Sequence, residues 1–377
     1  MSARRASSRI LRHIRAGLLL FCAVAATASA QADERRTLAG YYPSWFSATA
    51  AKLSDTSSAY THVIVAFAKP DFTWNGKDWT GTGLQFAEPL DEVLRQIATL
   101  KARDIKVVLA VGGATYLNWA PLAAEADHPG TITAALSRFV ADMRLDGIDV
   151  DYETDGATPT QIAEYRAVIR ALANAAGPSH MLSLAAWSTG ADCTKATGTA
   201  PCGGKTSMWE GRSGRERLVF RDQSLFARLA MINVMSYDAG VDTFDPVKAW
   251  SLYRAMVPAA VPLNIGFEIS PEGWGPARLV ADNAKAVCPG ATIKADQFGN
   301  DENKPYSVER ALSDGPLSST KNRQDGVMLW HVVKNQKLPS CGQALVVSPR
   351  ELELTARVLL DRKRSASPAF SEDTDDH

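Results

Sequence analysis

The acidic chemistry of the chain is concentrated in eight residues, Asp146-Gly147-Ile148-Asp149-Val150-Asp151-Tyr152-Glu153. Side chains of an extended strand alternate between its two faces. Asp149, Asp151 and Glu153 therefore share one face, and Ile148, Val150 and Tyr152 the other. The apolar face suits packing beneath helices, while successive acids stand roughly 6–7 Å apart. Carboxylates crowded inside a fold repel one another, so at least one of them keeps a proton. A carboxyl group protonated near neutral pH is what general acid catalysis requires. The competing reading is a calcium-binding or surface acidic strand. Calcium loops draw oxygen ligands from glycine-rich turns, whereas Ile148 and Val150 between the acids mark a buried strand.

The elements that position this stretch follow from hydrophobic patterning. Strand-like runs are expected at 38–42, 61–68, 106–111, 147–153, 181–187, 231–237, 261–267 and 326–332, alternating with amphipathic stretches. One helix is marked at its start by Thr158-Pro159-Thr160-Gln161, a capping threonine with proline at the first helical position. Near-continuous apolar strands alternating with helices indicate parallel strands covered on the outside. Eight such units close into a (β/α)8 TIM barrel of the α/β class, and the mature length suits a single domain. An open doubly wound sheet is the rival. No Gly-x-Gly-x-x-Gly follows the first strand to support it. Catalytic groups of a barrel come from the C-terminal ends of its strands. Tyr41, Glu153, Tyr237 with Asp238, and Trp330 all fall at such ends. Aromatic faces beside hydroxyl-binding carboxylates suit a sugar ring.

Arg4, Arg5, Arg9, Arg12 and Arg15 precede an apolar run from Ala16 to Ala28 and the small-residue site Ala28-Ser29-Ala30. Residues 1–30 thus read as a secretory signal peptide, with a run too short to span a membrane. Residues 31–362 form the expected barrel, and the polar stretch 363–377 is expected to be a disordered tail. Removing the five arginines leaves 36 basic residues against 41 acidic ones, a net charge of −5. That charge and the lack of basic blocks argue against nucleic acid as a partner. The expected protein is secreted, extracellular or periplasmic, monomeric and free of the membrane after cleavage. Cys193, Cys202, Cys288 and Cys341 remain for disulfides in an oxidising compartment. Of three possible pairings, Cys193–Cys202 closing a Gly/Thr-rich loop and Cys288–Cys341 are favoured. No cysteine or histidine spacing suggests zinc, and neither metal nor cofactor is expected.

The acid series Asp146-x-x-Asp149-x-Asp151-x-Glu153 matches the D-x-x-D-x-D-x-E signature of the family 18 glycoside hydrolases, the chitinase family. Gly40-Tyr41-Tyr42, Gly112-Gly113, Met235-x-Tyr237-Asp238 and Trp330 extend the likeness. The sequence resembles that family over about residues 37–360. The resemblance implies retaining, substrate-assisted hydrolysis of β-1,4 links between N-acetylglucosamine units, in chitin or chito-oligosaccharides. It implies Glu153 as general acid and base. Asp151, Asp149 and Tyr237 would serve the acetamido nucleophile, and Tyr41, Phe67, Gly112, Gly113, Met235, Asp238 and Trp330 would bind substrate.

Two departures from the pattern carry expectations. Ala110 stands in Ala110-Val111-Gly112-Gly113 where the family often has serine. Loss of that hydroxyl implies slower turnover or an altered pH profile, and a gain in rate for Ala110→Ser. After strand seven only Glu268 to Gly275 precedes the next helix, so no large α+β insertion is expected. That implies an open groove suited to internal cleavage. Tyr116, Trp119 and Trp274 are candidates to line subsites, and Trp209, in the long 188–221 loop, to shape a wall. Two alternatives stay open. One is an endo-β-N-acetylglucosaminidase acting on N-glycan or peptidoglycan. The other is a non-catalytic, lectin-like barrel, against which the retained Glu153 counts.

Overall fold

Eight parallel strands surround a single axis: β1 (Leu38–Pro43), β2 (His62–Ala68), β3 (Lys106–Gly112), β4 (Gly147–Asp151), β5 (Met181–Trp187), β6 (Leu229–Met235), β7 (Leu263–Ile269) and β8 (Val327–Trp330). Each pairs with the next in sequence, and β8 pairs with both β7 and β1, which closes the ring. Helices fill the connections: α1 (Leu90–Lys101), α2 (Thr131–Asp142), α3 (Pro159–Ala176), α4 (Arg215–Val219) and α5 (Pro246–Met256). This is the expected (β/α)8 barrel. The computed structural model describes residues 35–193, 213–237, 239, 244–269, 278–279, 297–298, 301–305, 308–313, 315–333, 336–338, 345–347, 353–354 and 356–361. The stretches expected to be a signal peptide and a C-terminal tail, together with Asp238, Cys202, Cys288, Cys341, Trp209, Trp274 and most of the connection after β7, lie outside the described residues.

Local sequence accounts for the elements. In α1, Val93, Ile97 and Leu100 recur at helical spacing and are buried. Helix α3 begins at the expected capping box, where Thr158 Oγ1 accepts from the Gln161 backbone N–H and the Thr158 N–H donates to Gln161 Oε1 at 3.0 Å. Asp245 caps α5 by accepting the Lys248 N–H at 2.9 Å. Outward-facing Ile148 and Val150 of β4 and the following Tyr152 are fully buried in the layer between strands and helices. Tyr152 stacks on Tyr165 of α3 with ring centroids 4.3 Å apart. The two-face reading of the acidic strand therefore holds.

Inside, the barrel carries small and sulfur-bearing side chains, including Ala39, Ala66, Ala110, Ala185, Met231 and Met328. It is unusually polar for a packed barrel interior. Asp149, Ser183, Asn233 and Asn264 are all fully buried there, with Asn264 donating to Asn233 Oδ1 at 2.9 Å. Asp146, the first acid of the motif, points elsewhere. It accepts the Val107 N–H at 2.8 Å and pairs with Lys101 Nζ at 2.9 Å, which ties the starts of β3 and β4 to the end of α1. The chain's end is tied to its beginning. Tyr60 donates to Glu353 at 2.7 Å, and Arg357 Nη1 donates to the Arg36 carbonyl at 2.8 Å.

Candidate active site

A cavity of about 560 Å³ opens at the C-terminal ends of the strands. Asp151, at the end of β4, and Glu153, two residues beyond it, both line it. Asp151 is buried and Glu153 half-buried. A cluster of contacting aromatic rings lines the same cavity. Phe67 stacks on Trp330 with centroids 5.8 Å apart, and Trp45 stacks on Phe67 at 6.0 Å. Tyr41 meets Trp330 edge-on at 5.8 Å. Trp187, Met235, Tyr237, Gly83, Gln85 and Tyr116 also line the cavity. Tyr116 is held there by donating to the Gly83 carbonyl at 2.9 Å.

Asp149 lies one layer deeper and is fully buried. Its Oδ2 accepts from the Tyr41 hydroxyl at 2.8 Å and its Oδ1 from the Ser183 hydroxyl at 2.5 Å. Burial pushes the Asp149 carboxyl up to about 6, against the pull of those two donors in the other direction. The phenol of Tyr41 is raised well above its ordinary value, first by burial and then by the charges of Asp149 and Asp151. Tyr41 therefore remains a neutral donor at any working pH. The carboxylate series thus graduates from a buried acid titrating near neutrality to one facing the cavity.

Backbone geometry brings the strand ends together. Gly112 and Gly113 have φ of +115° and +80°, a region that L side chains seldom enter. A Cβ on Gly112 would lie 2.1 Å from the Asp151 carbonyl oxygen, and one on Gly113 2.7 Å from the Phe67 ring. The Gly113 N–H donates to that same Asp151 carbonyl at 2.9 Å. The glycine pair does not line the cavity. It seats Asp151 and Phe67, which do.

A buried ion pair braces the other side. Arg215 and Glu216 of α4 are both fully buried and joined at 2.7 Å. Arg215 Nη1 donates to the Thr154 carbonyl, next to Glu153, at 2.8 Å. Glu216 Oε1 accepts the Trp187 N–H at 3.3 Å. Tyr253 of α5 donates to the Trp187 carbonyl at 2.6 Å. The segment carrying Glu153 and the end of β5 are therefore fixed by one pair of charges.

Of the residues singled out from sequence, Tyr41, Phe67, Asp151, Glu153, Met235, Tyr237 and Trp330 share the cavity, and Tyr116 joins them. Tyr237 lies beyond β6, which runs from Leu229 to Met235, so the strand begins and ends two residues before the expected run 231–237. Trp119 is not a subsite residue. It is 1% exposed, packed on Tyr152 at 5.2 Å and beneath Gly112. Of the four cysteines beyond residue 30, Cys193 alone is among the described residues, so the expected pairings fall outside them. Trp45, Trp187, Gln85 and Ser183 escaped sequence reasoning. Trp187 ends β5 and carries the strand-end signal that singled out Trp330. Gln85 has no such signal, since only tertiary packing brings its loop to the cavity.

The hydroxyl that Ala110 lacks is supplied from elsewhere. Ala110 and Ser183 flank Asp149 in register on β3 and β5, and Ser183 makes the bond. Asp149 thus has a hydroxyl donor despite Ala110, and the expected effect of Ala110 on turnover and pH profile stays a matter for the Ala110→Ser variant.

Comparison with known proteins agrees with this arrangement. The sequence matches the model of the glycosyl hydrolases family 18 over residues 37–309. A chitinase of Plasmodium falciparum is 33% identical over 134 residues, which is 31% of this chain and 32% of the relative. The chain thus spans about a third of the length of that curated relative. Among solved structures, a chitinase from Bacillus thuringiensis aligns with a TM-score of 0.55 at 16% identity, over 90% of this chain and 71% of its own. A family 18 chitinase from Pseudoalteromonas aurantia aligns with a TM-score of 0.52 at 15% identity, over 86% of this chain and 99% of its own. At such identities these structures speak for the barrel alone. The family match extends over most of the chain and spans β1 to β7, so the protein belongs to the glycosyl hydrolases of family 18.

Proposed function

We infer that the protein is a chitinase, cleaving β-1,4 bonds between N-acetylglucosamine units with retention of configuration. One observation carries the reading. Asp151 and Glu153 open into an aromatic-floored cavity while Asp149, titrating near 6, is buried directly behind them. All three acids come from a single strand and its extension. That arrangement favours a nucleophile carried by the substrate over the usual pair of opposed carboxylates.

In this mechanism Glu153 delivers its proton to the glycosidic oxygen as the bond to the anomeric carbon breaks. The acetamido carbonyl oxygen of the same sugar forms the new bond from the opposite side. Asp151 accepts a hydrogen bond from the acetamido N–H and balances the positive charge of the cyclic intermediate. Asp149 and Asp151 hold one proton between them. Tyr237 holds the acetamido oxygen, and Trp330 with Phe67 supports the sugar ring. Water then adds to the anomeric carbon and gives its proton to Glu153, restoring the starting state with the β-configuration kept.

The same reading takes the protein as an exported monomer acting within chains, with a Cys193–Cys202 bridge in the loop after β5. Soluble chito-oligosaccharides are the substrates this reading favours. The test is hydrolysis of an N-acetylglucosamine tetramer by the wild type and by Glu153→Gln, with products separated by mass and the first-formed anomer read by NMR. Dimer released in the β-form, slowed about 10²- to 10⁴-fold in the variant, is expected. Tight binding without cleavage would replace the hydrolase with a lectin-like barrel. Cleavage only of N-glycan or peptidoglycan fragments would change the substrate and keep the mechanism.

A further inference from the structure

Three strands lie side by side at the level of Asp149. In register across them stand Ala110 on β3, Asp149 on β4 and Ser183 on β5. All three side chains are fully buried. Ala110 offers Asp149 no hydrogen bond, while the Ser183 hydroxyl donates to Oδ1 and the Tyr41 hydroxyl to Oδ2. Each carboxylate oxygen thus has its own donor from a different strand, β5 on one side and β1 on the other. The geometry points to Ser183 as a positioning residue of the hydrolytic reaction, whose hydroxyl, delivered from β5, fixes the Asp149 carboxylate behind Asp151. The inference rests on the proposed hydrolase reading and adds to it a residue outside the motif.

The physical argument concerns what Asp149 must do. It exchanges a proton with Asp151 as Asp151 engages the acetamido group, so its orientation and its proton affinity are both set by its donors. A hydroxyl donor favours the ionised carboxylate over the neutral acid. Ser183 and Tyr41 both act on Asp149 in that direction, against the opposing effect of burial. Among the described residues, the other titratable groups of this interior include Asp151 on the same strand, Glu268 on β7 and Tyr237 beyond β6. From β3, Val108 and Ala110 contribute no charge. Tyr41 cannot substitute for Ser183, because it is committed to the other oxygen. Without Ser183, Oδ1 loses the donor delivered from β5, and Ala110 on β3 has no hydroxyl to offer in its place. Asp149 then binds its proton more tightly, and the acidic limb of the rate profile moves to higher pH.

The experiment compares wild type, Ser183→Ala, Ser183→Thr, Ala110→Ser and the Ser183→Ala/Ala110→Ser double variant. The readouts are kcat and KM on the N-acetylglucosamine tetramer across pH. Ser183→Ala is expected to lower kcat about 10- to 100-fold with KM little changed, the scale of losing one hydrogen bond to a charged group. Its acidic limb should rise in pH. Ser183→Thr keeps the hydroxyl and should keep the profile. The double variant moves the hydroxyl to the opposite flank and should recover most of the rate. Ala110→Ser alone adds a third donor and should move the acidic limb to lower pH, a readout that survives if Ser183→Ala fails to fold. An active wild type whose profile is unmoved in Ser183→Ala or in Ala110→Ser overturns the inference. The titration of Asp149 can also be followed without substrate, by carboxyl ¹³C NMR assigned with Asp149→Asn. If wild type turns over no acetamido glycan, the hydrolase reading falls. An upward shift of the Asp149 titration in Ser183→Ala would still uphold the bond's effect on that group, and its absence would refute it.

Discussion

Replacing Asp149 by asparagine separates the stability of this barrel from its chemistry. Asp149 is fully buried and titrates at about 6 in the fold, against an ordinary aspartate value of 3.8. The fold therefore favours the neutral acid, while an unfolded chain releases the proton near its ordinary value. Below about pH 4 both states are protonated and the group costs nothing. As pH rises from 3.8 to 6 the folded state loses stability, and above 6 the loss is constant. At 1.36 kcal/mol per pH decade the loss is about 3 kcal/mol. Asparagine removes the titration but accepts at one oxygen only, so the Ser183 or the Tyr41 hydroxyl must turn to accept from the amide. That substitution costs about 1–2 kcal/mol at every pH. Asp149→Asn should thus be less stable than wild type by about 1–2 kcal/mol at pH 4, and more stable by about the same amount at pH 8. Urea unfolding at the two pH values, followed by tryptophan fluorescence, measures the change of sign. Hydrolysis should meanwhile fall by about 10²-fold or more, since the shared proton has lost one of its sites. A stability difference that stays constant between pH 4 and pH 8 would refute the reasoning, for it would mean that Asp149 titrates alike folded and unfolded.

Other perturbations test the framework around the acids. Arg215→Met leaves Glu216 buried without its partner and frees the Thr154 carbonyl. A loss of about 3–5 kcal/mol in chemical denaturation is expected, whereas the double change Arg215→Met/Glu216→Leu should recover much of it. Gly113→Ala places a Cβ against Phe67 at a φ of +80°. It should displace the aromatic floor, raising KM for the tetramer several-fold and lowering Tm; an unchanged KM would show that Phe67 does not bear on substrate.

The acidic strand could be read in full from its own residues because its signal is local. Period-two alternation places Ile148 and Val150 outside and Asp149 and Asp151 inside whatever the rest of the chain does, and the cap at Thr158 is equally local. Strand-end aromatics could be placed at one end of the barrel once alternating strands and helices implied it. Trp119 shows the limit. As an aromatic in a loop it has the same sequence signature as Tyr116, yet it is buried against Tyr152 while Tyr116 lines the cavity. Which way a loop aromatic turns depends on what waits beneath it, here the close approach of Gly112.

By itself the sequence determined the order of the elements, the face on which the acids stand and the family to which they belong, since each is a matter of spacing along one chain. Tertiary structure alone decided who holds those acids. Tyr41 and Ser183 reach Asp149 from 108 and 34 residues away, and Arg215 reaches the segment of Glu153 from 61 residues away. Closing the barrel sets the register between strands. That register converts a missing hydroxyl on β3 into a present one on β5, because a carboxylate inside a ring has neighbours on both sides and needs a donor from only one of them.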